Sequence, residues 1–80
     1  SVRQFNRKFR AFFHTTPQTF LIKTRIQAAQ KLLRESDTPI GTLAQDLGFY
    51  DQSSFTLQFR RHVGTTPLRY RKNSSHPDAV

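Results

Sequence analysis

The strongest constraint on this chain is that it repeats itself at an offset of fifty. Phe5 falls on Phe55, Phe9 on Phe59, Arg10 on Arg60, Thr15-Thr16-Pro17 on Thr65-Thr66-Pro67, and Phe20 on Tyr70, without a gap. Self-similarity of this kind marks one supersecondary unit used twice. Within each copy the spacing is helical. Phe5, Phe9, Phe12 and Phe13 recur at intervals of four and three, which is one face of a helix.

The punctuation between the apolar stripes predicts an all-α chain. Ser1 serves as a helix N-cap, and His14 stands where a C-cap is expected, being among the residues that tolerate positive φ. Thr16 before Pro17 reads as a cap followed by proline at the first helical position, where its missing N–H costs nothing. The helix it opens is expected over Pro17–Glu35, with Ile22, Ile26, Ala29 and Leu33 as its stripe and Phe20, Leu21 and Leu32 widening it. Ser36-Asp37-Thr38-Pro39 should end that helix and cap the next. A short helix carrying Ile40, Leu43, Ala44 and Leu47 then stops at Gly48. Asp51 caps a helix with Phe55 and Phe59 inward, Gly64 closes it, and Thr66-Pro67 opens a last helix through Tyr70 and Arg71. Residues 73–80, "NSSHPDAV", have little to bury and read as a mobile tail. No stretch alternates with the period of a β-strand.

Charge narrows the function. Thirteen Lys and Arg against five Asp and Glu give a formal +8, a balance that calls for an anionic partner. Nine of the thirteen lie in the repeated segments: Arg3, Arg7, Lys8 and Arg10 in one, Arg60, Arg61, Arg69, Arg71 and Lys72 in the other. A merely solubilising face is the plain alternative. There is no cysteine for a disulfide or thiolate metal site, and the apolar runs are far too short for a membrane span. The N-terminus does not read as a signal peptide. His14, His62 and His76 are dispersed and match no metal-ligand spacing, and the hydroxyls sit at caps rather than in nucleophile motifs. Neither catalysis, a metal nor a cofactor is expected.

Helix, tight glycine turn and second helix, over residues 39–62, is the order of a helix-turn-helix. Ala44, four residues before Gly48, would let the second helix approach closely. The outward side of that helix offers Gln52, Ser53, Thr56, Leu57, Gln58, Arg60 and Arg61, types suited to base edges and phosphates. Many helical hairpins share this pattern, so alone it leaves other readings open.

The stretch "GFYDQSSFTLQFRRHVGTTPLRYR" resembles the signature of the AraC/XylS family of bacterial transcription regulators. Gly48, Phe49, Asp51, Ser53, Phe55, Phe59, Gly64, Thr66, Pro67, Tyr70 and Arg71 fall on its pattern. With "FLIKTRIQAAQKLLRESDTPIGTLA" similar to the family's linker helix and the one after it, the likeness covers roughly residues 1–72. It implies two helix-turn-helix units joined by a long linker helix, each presenting one recognition helix to DNA. Residues 1–16 would hold the first recognition helix, 17–36 the linker, and 37–72 the second unit with a closing helix. In that family two helices precede the first recognition helix, so the first unit here is expected to be incomplete.

Under this resemblance Arg3, Asn6, Arg7, Gln52, Ser53, Ser54 and Leu57 are expected at bases, with Leu57 facing a thymine methyl. Arg10, Thr38, Arg60 and Arg61 are expected at phosphates. The phenylalanine stripes are expected to be core, and Arg25 to form a structural ion pair. Implied partners are double-stranded DNA and, through the parent regulator, RNA polymerase. Dimerisation would belong to another domain, and the setting would be the bacterial cytoplasm and nucleoid. The rival class is a basic helical module for an acidic protein or an anionic membrane surface.

Overall fold

The computed structural model describes residues 1–74, and five helices account for most of them: α1 (Val2–Phe13), α2 (Pro17–Glu35), α3 (Ile40–Asp46), α4 (Gln52–Val63) and α5 (Pro67–Ser74). No strand occurs among the described residues. The molecule is elongated, 49 × 28 × 18 Å, because α2 runs as a spine that meets α1 near one end and α4 and α5 along the rest.

The caps explain where the helices begin and end. Ser1 Oγ accepts from the Gln4 N–H at 3.2 Å, and Asp51 from the Ser54 N–H at 2.7 Å. Thr16 and Thr66 do the same for Thr19 and Arg69, both at 3.2 Å. Each cap satisfies a donor that the helix itself leaves orphaned, a contribution of about 1 kcal/mol. The turns after α1, α3 and α4 use the left-handed region. His14 has φ 61°, Gly48 φ 88° and Gly64 φ 94°, so the chain reverses where the sequence suggested.

One cap differs from expectation. Pro39, not Thr38, occupies the N-cap position of α3, and no side chain bonds there. Thr38 is turned to Ser36 instead: Ser36 Oγ donates to the Leu32 carbonyl at 2.9 Å, accepts from the Thr38 N–H at 3.4 Å, and lies 3.1 Å from Thr38 Oγ1. Ser36 thus finishes α2 and holds the turn, which leaves α3 without a side-chain cap. The last helix also runs further than expected, through Asn73 and Ser74. Residues 75–80 of the expected tail lie outside the described residues.

The core belongs to α2, α3 and α4. Ile26, Ala29, Leu33, Leu43, Ala44, Phe55 and Phe59 are buried, with Ile22, Leu32, Ile40, Leu47, Phe49, Val63 and Tyr70 packed around them. Ala29 and Ala44 lie wholly inside, and such small side chains are what permit close helix approach. From α1 the core receives nothing. The expectation that both phenylalanine stripes are core therefore holds for Phe55 and Phe59 and fails for α1. Phe5 is 57% exposed, Phe12 77% and Phe13 46%, because α2 is the main element against that helix and its stripe is wider than the contact.

Arg25 is a second correction. Among the described residues it has no ion pair; its Nη1 donates to the Gly48 carbonyl at 3.3 Å and its guanidinium stands 6.0 Å from the centre of the Phe49 ring. The linker helix thereby holds the glycine turn between α3 and α4. Two further arginines tie α2 to α5: Arg34 donates to the Tyr70 hydroxyl at 2.6 Å, and Arg71 Nε to the Leu33 carbonyl at 3.3 Å.

Candidate nucleic-acid interface

With Phe55 and Phe59 turned into the core, the opposite side of α4 is left as an open hollow. Gln52, Ser53, Thr56, Leu57, Arg60 and Arg61 line it, with Gly64 at its end. Amide and hydroxyls occupy its first turns, a half-exposed leucine its middle and two exposed guanidinium groups its last turn. The arginines sit at the helix end whose dipole favours positive charge, so this arrangement stabilises α4 as well as charging the hollow. Hydrogen-bonding groups toward one end, an apolar side chain between and cations at the other end suit base edges flanked by phosphates.

The second copy of this surface lies on α1. Moving back fifty residues takes Ser53, Thr56, Leu57 and Arg60 to Arg3, Asn6, Arg7 and Arg10. Arg3, Arg7 and Arg10 are exposed and Asn6 is half-buried. Backbone and ring geometry repeat along with the sequence. His14 N–H reaches the Arg10 carbonyl at 2.7 Å, and Gly64 N–H the Arg60 carbonyl at 2.9 Å. Phe9 meets Phe20 edge-on at 5.5 Å and 76°, and Phe59 meets Tyr70 at 5.5 Å and 75°. The two surfaces are therefore set on their following helices in the same way.

The expected residues are not all brought together. Gln52, Ser53, Leu57, Arg60 and Arg61 share the α4 hollow. Ser54 does not line it. It is half-buried, one helical step round from the hollow, and its N–H is taken by Asp51. Thr38 is half-buried in the turn before α3, with its hydroxyl against Ser36. Thr56 lines the hollow without being among the residues expected at bases, although the repeat pairs it with Asn6, which is. The offset of fifty was signal enough to find it.

A smaller concavity lies between the two halves, where Phe13, His14, Phe20 and Lys23 approach His62 at the end of α4. Among the described residues, no group of three or more His, Cys, Asp or Glu could hold a metal ion, and no helix is long and apolar enough to cross a membrane.

Comparison with known proteins gives this geometry a setting. A family profile described as a helix-turn-helix domain matches residues 1–73. The probable transcription factor PqrA of Proteus vulgaris is 38% identical over 72 residues, covering 90% of this chain and 59% of its own. The crystal structure of the DNA-binding domain of AdpA, a global transcriptional factor, in complex with a target DNA superposes with a TM-score of 0.90 at 33% identity, covering 99% of this chain and 73% of that one. An AraC-type DNA-binding-domain regulator from Chromobacterium violaceum gives a TM-score of 0.84 at 27% identity, over 94% and 67%. The chain spans less than two thirds of the curated relatives it matches, 27%, 26% and 24% of three of them. These likenesses favour a nucleic-acid partner over an acidic protein or a membrane surface.

Proposed function

We propose the following reading from one premise: the chain belongs to the AraC-type helix-turn-helix family. It binds duplex DNA in a sequence-specific way, laying α4 and α1 into major grooves. The observation that carries this reading is the repeated surface itself, a polar and cationic helix face at α4 with its counterpart on α1.

Gln52, Ser53, Thr56 and Leu57 select bases at one groove, and Arg3, Asn6 and Arg7 at the other. Arg10, Arg60 and Arg61 neutralise phosphates, supplying an attraction that counterion release makes steeply salt-dependent. Ser54 and Thr38 stand at the margin of this reading, since Ser54 does not line the α4 hollow and the Thr38 hydroxyl is hydrogen-bonded to Ser36. Spacing supports two grooves. Nineteen residues of α2 at 1.5 Å each span about 28 Å, close to the roughly 34 Å between successive major-groove faces on one side of B-DNA. Because the two faces differ, the site is a tandem of unlike half-sites and not a palindrome.

In the parent regulator we assign contact with RNA polymerase to the DNA-bound state and dimerisation to a domain outside these eighty residues. The setting is the bacterial cytoplasm, at the nucleoid, and the role is binding rather than catalysis. Selection of duplexes from a random pool, with sequencing of those retained, tests the reading. A single asymmetric motif supports it; a pool that stays random after repeated rounds contradicts it.

A further inference from the structure

Three glycines occur in the chain, and two are explained by the backbone. Gly48 and Gly64 lie at φ 88° and 94°, where other residues are strained. Gly41 has no such demand on it. It stands inside α3 without positive φ, at a position where alanine is the better helix former. What surrounds it differs too. A methyl group at Gly41 would lie 3.0 Å from Gln52 Oε1 and 4.0 Å from Gln52 Cδ, and no other atom outside its own helix comes within 4 Å. The end of one side chain occupies the space that a residue with a Cβ would claim.

Gln52 is also the first residue of α4 and lines the hollow with Ser53 and Thr56. Its amide therefore has two surfaces to choose between: the bare backbone of Gly41 and the groove side of α4. Glycine at 41 leaves the first open. We propose that Gly41 is a specificity-determining positioning residue, which sets the orientation of the Gln52 amide and through it the base pair that α4 selects. The proposal rests on the reading of α4 as a recognition helix. A side chain at 41 would push only on the flexible end of Gln52, which must give by at least a few tenths of an ångström, so the fold would tolerate it while the amide lost its present seat.

This separates Gly41 from a residue needed only for packing. Gly41→Ala should keep or raise the melting temperature, because a better helix former replaces glycine where no backbone clash results. Its effect should appear as altered preference at one base pair. The experiment uses the eighty-residue chain with Gly41→Ala, Gln52→Ala and the double substitution, each taken through duplex selection and then titrated with the selected duplex and its single-base variants. The expected result is a change of about fivefold or more in discrimination at one base pair for Gly41→Ala, with the other positions unmoved. In the Gln52→Ala background the same change at 41 should do nothing further. If Gln52→Ala shifts the motif while Gly41→Ala leaves it as it was, the proposal is overturned and the reading of α4 stands. If Gly41→Ala lowers the melting temperature and weakens all duplexes alike, the residue is structural and the proposal is again overturned. If Gln52→Ala itself leaves the motif intact, the assignment of Gln52 to bases falls and takes the proposal with it.

Discussion

The two halves of this molecule share a geometry and differ in what covers it. At one end α1, its turn and the start of α2 reproduce the ring contacts and caps of α4, its turn and α5, as the matching Phe9–Phe20 and Phe59–Tyr70 pairs show. Yet Phe59 and Phe55 are fully buried, while Phe5 is more than half exposed. The difference lies in the neighbours. Phe55 has Phe49 at 5.0 Å and the α3 helix over it; no described element stands in that place above Phe5. Local sequence is enough to bend the backbone and pair two rings, and burial requires a third element.

Phe59→Ala gives the largest expected contrast. It should cost about 3–5 kcal/mol, the range for truncating a packed aromatic, and leave the chain unfolded or nearly so. Phe9→Ala, at the equivalent place in α1, removes a half-buried ring and should cost clearly less. Urea titration followed by helical circular dichroism measures both. Equal losses at the two positions would break the comparison.

Arg25→Ala comes next, because it releases the carbonyl of Gly48 and the face of Phe49 together. A loss of about 1–2 kcal/mol is expected, the sum of a modest hydrogen bond and a partly exposed cation–π contact. Duplex affinity should fall with it, since the turn that aims α4 is no longer held. An unchanged melting curve would show that the turn holds itself.

Capping sharpens the contrast at a smaller scale. Asp51→Ala should destabilise by about 1 kcal/mol, because α4 is part of the cooperative core. Ser1→Ala removes an equivalent bond from α1, whose loss frays only a helix outside that core. Hydrogen exchange separates them: faster exchange throughout α4 in one case, and change confined to α1 in the other. A contrast of similar size lies at the paired turns. Gly64→Ala forces a Cβ into the left-handed region and should cost about 1 kcal/mol, whereas His14→Gly relieves it and should gain several tenths. Thermal melting should fall for Gly64→Ala, and hydrogen exchange within α1 should slow for His14→Gly.

Much of this was legible in the sequence, for identifiable reasons. Caps, prolines and glycines act on their own segment, so Pro17–Glu35 could be bounded to the residue. The α4 hollow followed from helical periodicity, with Gln52, Ser53, Leu57, Arg60 and Arg61 on one side of Phe55 and Phe59. What periodicity cannot supply is the neighbour. The stripe of α1 looks as apolar as that of α4, and nothing within it says that no second helix will cover it as α3 covers Phe55. Arg25 departs from its expected ion pair for a similar cause. Its partners, the Gly48 carbonyl and the Phe49 ring, are 23 and 24 residues away in the chain, and a backbone acceptor leaves no mark in a charge pattern. Ser36 displaced Thr38 as the organiser of the α2–α3 turn because either hydroxyl could serve, and only the bend of the chain chose between them.

The central claim is that one chain reads DNA twice, with unlike faces held apart by α2. Methylation-protection footprinting of the eighty-residue chain on its selected duplex tests it most directly. Two protected major-groove patches on one face of the helix, about 10 base pairs apart, with only the α1 patch lost on Arg3→Ala and Arg7→Ala, are the predicted result. A lone patch that vanishes when Gln52 and Arg61 are changed, and is indifferent to Arg3 and Arg7, would contradict the account: α4 would then be the only reader, and the repeat in the chain would be a repeat of structure alone.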